Sequence, residues 1–104
     1  MNKHFFIMQC KSGCELEYAK RHQAVFPDLL ESISRVGITN YNIFLDGTKI
    51  YAYLETDDFQ KSMEALGQDP ANQRWQKYMG DIMETDENGD VVVKVIDNLV
   101  FSHK

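Results

Sequence analysis

The stretch NYNIFLDGTKIYAYLE, residues 40–55, decides the fold. Polar residues alternate with apolar or aromatic ones over residues 40–45, and the alternation resumes over residues 49–55. Asp46-Gly47 lies between the two runs and is a strong hairpin signal, because glycine accepts the positive φ that a tight turn requires. The stretch therefore predicts two antiparallel strands joined by a short turn.

A strand and a broken helix are predicted before this hairpin. Residues 4–10 (HFFIMQC) are short, apolar and aromatic, and a Lys-Ser-Gly turn follows them. Residues 15–36 have the three- and four-residue spacing of an amphipathic helix, with Ser12 as a possible cap and a break that ends the first part near Val25 and restarts at Pro27. The predicted buried stripe of this helix comprises Leu16, Ala19, His22, Phe26, Leu29 or Leu30, Ile33 and Val36.

A helix pair and a final strand are predicted after the hairpin. Asp57 and Asp58 can cap a helix over residues 59–66, and Asp69-Pro70 opens a second helix that runs to Met83. Residues 84–90 (ETDENGD) are typical of a solvated acidic turn, and residues 91–101 form a long β-branched strand. The resulting βαββαβ order predicts an α+β, ferredoxin-like fold with helices on one face of an antiparallel sheet.

The predicted strands carry apolar residues on both faces. Phe6 and Met8 point one way while Phe5 and Ile7 point the other, and the last strand shows the same double pattern. Helices can cover one face only, so the other needs a second cover. We therefore expect a homodimer that packs sheet to sheet as a dimeric α/β-barrel.

Length and charge restrict the class of protein. The chain has 104 residues, 43% of them apolar, which predicts one domain over residues 1–104. A formal charge of −5 without a basic cluster argues against nucleic acid as a partner. No apolar run approaches the length of a membrane span and no signal peptide is evident, so a cytoplasmic protein is expected, with no membrane partner. Cys10 and Cys14 lack further ligands at metal-site spacing, so no metal site is predicted.

Proton transfer or binding is the chemistry that the residues allow. His22 lies one helical turn after Tyr18, and a histidine can both give and take a proton near neutral pH. Flat faces and polar handles of the kind that a sugar site uses are offered by Tyr41, Tyr51 and Tyr53 on the hairpin and by Trp75 and Tyr78 on the last helix. From the residues alone, packing in an ordinary core remains the commoner reason for such side chains. Paired glycosidase carboxylates, a phosphate loop and a nucleophile elbow are not found in the sequence.

The chain resembles the L-rhamnose mutarotase family from Met8 to Phe101. The order and spacing of the matching pieces, rather than any one of them, carry the resemblance. These pieces are Met8-Gln9, Glu17-Tyr18, Arg21-His22, Pro27, Leu29, Asn40-Tyr41, Ile43, Leu45-Asp46, Arg74-Trp75, Lys77-Tyr78-Met79, Asp81 and Met83.

The resemblance implies an isomerase that interconverts the α and β anomers of a deoxyhexose without a cofactor. It implies that His22 is the proton donor and that Tyr18, Tyr41 and Trp75 bind the sugar. A second tryptophan of the family's site is replaced here by Gln76, which exchanges an apolar face for an amide. L-rhamnose is the expected substrate, and L-fucose or another deoxyhexose is the alternative that this replacement leaves open.

Two other functions share the predicted fold. The first is a small-ligand binding or regulatory module, which would bind a sugar without changing its rate of anomer exchange. The second is a cofactor-free monooxygenase, which would consume oxygen and would need an extended apolar pocket. Anomer exchange in the presence of the protein separates the mutarotase from both.

Overall fold

The computed structural model describes residues 2–103, which fold into one antiparallel sheet with helices on one face. The four strands are β1 (Asn2–Gln9), β2 (Thr39–Asp46), β3 (Lys49–Thr56) and β4 (Lys94–Ile96). The four helices are α1 (Glu15–Arg21), α2 (Pro27–Arg35), α3 (Phe59–Gly67) and α4 (Pro70–Met79). The strands lie in the order β2-β3-β1-β4, and each helical connection contains two short helices. The predicted ferredoxin-like α+β fold is confirmed.

The hairpin forms where the sequence predicts it. Asp46 pairs with Lys49, so the connection is the two-residue loop Gly47-Thr48, one residue later than expected. Gly47 has a φ of 59°, a conformation that costs a residue with a Cβ atom more than it costs glycine. The two-residue turn at Gly47-Thr48 thus sets the register of β2 against β3.

Strict alternation in β3 separates the two faces of the sheet. Ile50, Ala52, Leu54 and Thr56 are all buried beneath the helices, while the residues between them are more exposed. Their neighbours on β1 and β2 complete the same inner face, so that the apolar core lies between the sheet and the helical layer. A cavity opens in this layer.

A chain of two hydroxyl groups ties α3 to the edge of this core. The Ser62 hydroxyl donates to the carbonyl oxygen of Val36 at 2.8 Å, and its oxygen lies 2.7 Å from the Thr56 hydroxyl. Since the single Ser62 proton is used on Val36, Thr56 must donate to Ser62. Both side chains are buried, so each group depends on the other for its hydrogen bond.

The first helix differs from the prediction. It ends at Arg21 rather than near Val25, and its N-terminal residue is preceded by Cys14 with no side-chain cap from Ser12. Leu16 and Ala19 are exposed, and the buried side of α1 is instead formed by Tyr18. A helix of seven residues has only about two turns. The elements that pack against it therefore determine which of its side chains are buried. The longer apolar pattern of residues 15–36 does not decide it.

The C-terminal part is also shorter in regular structure than predicted. Helix α4 ends at Met79 rather than Met83, although Ile82 and Met83 are still buried. The strand expected over residues 91–101 is reduced to Lys94–Ile96, which pairs with β1 only. A β-branched composition favours a strand but does not form one without a neighbour for its backbone groups.

The outer face of the sheet is apolar and uncovered by helices. Its side chains follow from the pairing register, since antiparallel partners share a face. They are Phe5, Ile7, Phe44, Tyr51, Tyr53 and Ile96. Phe44 retains 66% of its surface exposure. The two-faced pattern of the strands is therefore present, and a second subunit as its cover remains a prediction.

We expect Ser62→Ala to lower the free energy of unfolding by about 1–3 kcal/mol, because it leaves a buried carbonyl and a buried hydroxyl without a partner. Ser34→Ala, an exposed serine in α2, is the matched control and should change it by less than about 0.5 kcal/mol. Urea unfolding of the three proteins measures the difference. Equal stability of the two variants would contradict the hydroxyl chain.

Candidate active site

A cavity of about 660 Å³ lies between the helices and the inner face of the sheet. All five residues singled out from the sequence line it: Tyr18, His22, Tyr41, Trp75 and Gln76. They come from the first helix and its end, from β2 and from α4. The fold thus brings together side chains that are up to 58 positions apart, from residue 18 to residue 76.

The end of α1 fixes the orientation of His22. His22 is the residue that caps α1, and its backbone N–H donates to the carbonyl oxygen of Tyr18 at 3.3 Å. Its ring nitrogen Nδ1 lies 2.9 Å from the same oxygen. Because a carbonyl oxygen can only accept, we assign the proton to Nδ1. Nε2 is therefore the nitrogen available for proton exchange in the cavity.

Aromatic rings enclose the imidazole. The Tyr18 ring lies 4.3 Å from the His22 ring between centroids, and the Trp75 indole meets the imidazole edge to face at 5.4 Å and 86°. Phe26 packs perpendicular to Trp75 at 5.0 Å. A hydrogen bond to the Tyr18 carbonyl oxygen holds the Nδ1 edge of the His22 ring, and the rings of Tyr18 and Trp75 pack against it.

The two tyrosines of the cavity are held in their neutral form. Burial, with smaller contributions from Tyr41 and Cys10, raises the pKa of Tyr18. Burial alone raises the pKa of Tyr41 to about 12. Neutral phenols donate and accept hydrogen bonds but are poor bases near neutral pH. The cavity therefore presents the imidazole of His22 beside two neutral, polar hydroxyl groups.

An amide pair on α4 forms a polar edge of the cavity. Gln76 Nε2 lies 3.4 Å from Asn72 Oδ1, one helical turn earlier, and both residues line the cavity. The sequence pointed to Gln76 through the family resemblance, but it did not point to Asn72. The i, i+4 spacing of the two amides was the signal that could have found it. Together they provide donors and acceptors of the kind that sugar hydroxyls require.

One side of the cavity is formed by a segment whose role the sequence did not reveal. Residues 84–90 were expected to be a solvated turn, but Gly89 and Asp90 line the cavity together with Val91. The turn is held by Asp86, whose Oδ1 accepts from the backbone N–H groups of Asn88 at 2.9 Å and Asp90 at 3.0 Å. The acidic turn is present, and it also serves as a wall.

The remaining lining is largely apolar. It comes from β1, α2, β2 and α3 and includes Phe6, Met8, Leu29, Ile33, Ile43, Phe59, Met63 and Leu66.

Within residues 2–103 no cluster of three or more His, Cys, Asp or Glu side chains is placed to hold a metal ion. Cys10 and Cys14 are free thiols, and burial is the main cause of the raised pKa of Cys10, which makes it less reactive.

The chain is similar to known proteins over most of its length. A sequence model of the L-rhamnose mutarotase family matches residues 3–101. An L-rhamnose mutarotase from Jannaschia sp. is 41% identical over 88 residues, which cover 82% of this chain and 83% of the relative. The crystal structure of L-rhamnose mutarotase FA22100 from Formosa agariphila superimposes with a TM-score of 0.84 at 20% identity, over 99% of this chain and 100% of that one.

The fold is also shared with proteins of another description. An antibiotic biosynthesis monooxygenase superimposes with a TM-score of 0.62 at 13% identity, over 96% of this chain and 100% of that one. A likeness at this identity shows a common fold only. The stronger likeness in both sequence and structure is to the mutarotases.

We expect the two cavity phenols to make stability fall in alkaline solution. The folded chain binds their protons more tightly than the unfolded chain, so their contribution is complete below the ordinary tyrosine pKa of about 10 and is lost as the pH rises above it. Unfolding followed from about pH 9 upward should show this decline, and Tyr41→Phe should flatten it. Tyrosinate absorbance rising near pH 10 for both phenols in the folded protein would contradict it.

Proposed function

The chain belongs to the L-rhamnose mutarotase family, and from this premise we propose that its cavity interconverts the α and β anomers of L-rhamnose by general acid–base catalysis. The observation that carries the proposal is the hydrogen bond from His22 Nδ1 to the Tyr18 carbonyl. It leaves Nε2 as the one ring nitrogen available to exchange a proton with a ligand in the cavity.

The reaction needs two proton movements. A proton is delivered to the ring oxygen while the anomeric hydroxyl loses its proton, so that the bond between the anomeric carbon and the ring oxygen breaks and the open-chain aldehyde forms. Rotation and reclosure on the other face reverse both steps. We assign both transfers at the ring oxygen to His22: the ring, protonated on both nitrogens, delivers the Nε2 proton and is left in its Nδ1–H form, whose Nε2 takes the proton back on reclosure. One positioned acid–base group contributes roughly 10²- to 10⁴-fold, which suits a reaction that already proceeds in water.

The other cavity groups bind and orient in this proposal. Tyr18 packs on the imidazole, and the neutral Tyr41 phenol donates a hydrogen bond to a sugar hydroxyl while water takes the anomeric proton. Trp75 offers an apolar face to the C–H side of the sugar. Gln76 and Asn72 bond to hydroxyl groups at the polar edge. L-rhamnose is the substrate we assign, and the Gln76 amide is the feature that could admit L-fucose beside it.

We expect the protein to accelerate exchange between the anomers of L-rhamnose, measured by NMR saturation transfer. His22→Ala should reduce the catalysed rate by roughly 10²- to 10⁴-fold, because it removes the ring that delivers the proton. His103→Ala, which removes an exposed histidine, is the matched control and should keep the wild-type rate. Undiminished exchange by a folded His22→Ala protein would reject the assigned role.

The same measurement decides between the sugars and between the functions. If the protein accelerates exchange more with L-fucose than with L-rhamnose, the assigned substrate becomes L-fucose and the assigned reaction stays the same. Saturable binding of either sugar without faster exchange would favour the binding module. Since mutarotation consumes no oxygen, uptake of oxygen is the corresponding sign of a monooxygenase.

We also propose that two chains pack through the outer face of the sheet. The face is apolar, and it is continuous from Phe44 on β2 to Ile96 on β4. Three large apolar side chains that follow β4 are exposed as well: Leu99, Val100 and Phe101. Contiguous apolar surface of this kind marks an interaction site in most proteins, and a second copy offers a face of the same shape and chemistry.

Sedimentation is expected to show a dimer. Phe44→Glu should raise the dimer dissociation constant at least about tenfold, because it places a charge within an apolar interface. Leu16→Glu is the matched control, since Leu16 is 87% exposed on the helical side, and it should leave the dimer unchanged. A monomeric wild-type protein would contradict the proposal.

Within residues 2–103, no helix has both the length and the apolar character needed to cross a bilayer. We place the enzyme in the cytoplasm, where thiols such as those of Cys10 and Cys14 remain reduced.

A further inference from the structure

Arg21 is the best-connected charged side chain beside the cavity, and the catalytic scheme above does not use it. We propose that Arg21 is a positioning residue that fixes the end of α1 on the end of α4 and thereby holds the His22 ring in its working orientation. The inference rests on the proposed function for its kinetic consequence. Its structural part concerns the His22 ring alone and can be tested without substrate.

The guanidinium of Arg21 connects two separate parts of the chain. Its Nε donates to Glu17 within α1 at 2.7 Å. Its Nη1 donates to the Tyr78 carbonyl at 2.8 Å and to Asp81 Oδ1 at 2.9 Å, and Nη2 donates to Asp81 Oδ2 at 3.2 Å. The bidentate contact with Asp81 spans 60 positions of sequence. The last turn of α1 is therefore anchored to the residues that end and follow α4.

A second route joins Arg21 to the imidazole through aromatic rings. The central carbon of the guanidinium lies 4.5 Å from the centroid of the Tyr78 ring, a cation–π contact. The Tyr78 ring packs on Trp75 at 5.7 Å, and Trp75 meets His22 at 5.4 Å. Arg21 thus packs on Tyr78, which packs on Trp75, and Trp75 in turn contacts the His22 ring.

Arg21 acts through His22 and not on the ligand. Its side chain keeps only 11% of its exposure, but Arg21 is not among the residues that line the cavity. Its charge is matched by Glu17 and Asp81, and the hydrogen bond from Arg21 lowers the pKa of Asp81. Four of the five N–H donors of the guanidinium are engaged with carboxylates and a carbonyl. Hence it is a positioning group.

The end of α1 needs such an anchor. A helix of seven residues is not stable by itself, so its final turn depends on tertiary contacts. Arg21 is the last residue of that turn, and the two bonds from His22 to the Tyr18 carbonyl exist only while the turn is closed. Release of Arg21 would loosen the turn and free Nδ1 from its acceptor. Catalysis would then lose the fixed orientation of Nε2.

Arginine, not merely a positive charge, is required. The contacts use three nitrogens of one planar fork, which lysine cannot reproduce because it presents a single ammonium group. Arg21→Lys should therefore behave like Arg21→Ala. In both we expect the catalysed exchange rate at saturating sugar to fall roughly 10- to 100-fold while KM changes little, because orientation rather than binding is lost. Arg35→Ala, which removes an exposed arginine from α2, is the control and should keep both constants.

The structural readout is the set of nitrogen chemical shifts of the His22 ring, recorded without sugar. In the wild type they should report the Nδ1–H form, and in Arg21→Ala and Arg21→Lys they should move toward a mixture of the two tautomers. Wild-type ring shifts in a folded Arg21→Ala protein would overturn the proposal, and so would an unchanged rate at saturation. Wild-type behaviour of Arg21→Lys in both measurements would also overturn it, since charge alone would then suffice.

A milder variant keeps the test decisive if Arg21→Ala does not fold. Asp81→Asn changes an exposed partner, removes the charge of the bidentate pair and leaves the arginine in place. We expect it to fold, to shift the His22 ring nitrogens in the same direction and to lower the rate at saturation by a smaller factor. If neither the His22 ring shifts nor the rate at saturation changes, the positioning role of Arg21 is contradicted. A wild-type protein that does not accelerate anomer exchange would contradict the proposed function. The ring shifts would still test the positioning role of Arg21, because they are recorded without sugar.

Discussion

The hydrogen bond from His22 Nδ1 to the Tyr18 carbonyl is the contact on which the arrangement of the site depends. His22 caps the end of α1, and its backbone N–H and its ring both reach this one carbonyl oxygen. The end of the short helix therefore positions the ring nitrogen that exchanges protons. The apolar pattern predicted a helix that continues to Val25, and so it did not locate this end.

The parts of the fold that could be predicted are those determined by neighbouring residues. Gly47 in the turn and the Asp58 and Asp69 caps act within a few positions, and the structure has all three, with each aspartate accepting from a backbone N–H three residues later. The ends of α1 and α4 and the length of the last strand could not be predicted in the same way. They depend on which distant element offers a partner, and β4 finds only β1.

The site was predictable to the extent that spacing or resemblance pointed to it. Tyr18 and His22 share a helical face, but only the fold brings Tyr41 and Trp75 to them. Asn72 could have been found from its spacing to Gln76. No local pattern could reveal the wall at Gly89 and Asp90 or the pairing of Arg21 with Asp81, because each joins segments that are far apart in sequence.

The distribution of charge agrees with a neutral substrate. Arg21, which precedes His22 in the sequence, is paired with the carboxylates of Glu17 and Asp81 and does not line the cavity. The cavity itself presents phenols kept neutral by burial, an indole and an amide pair, with the Asp90 carboxylate on its exposed segment. A sugar without charge gains little from an ion pair and much from stacking and hydrogen bonds. Charge therefore serves to hold the site in shape, and neutral groups are left to contact the ligand.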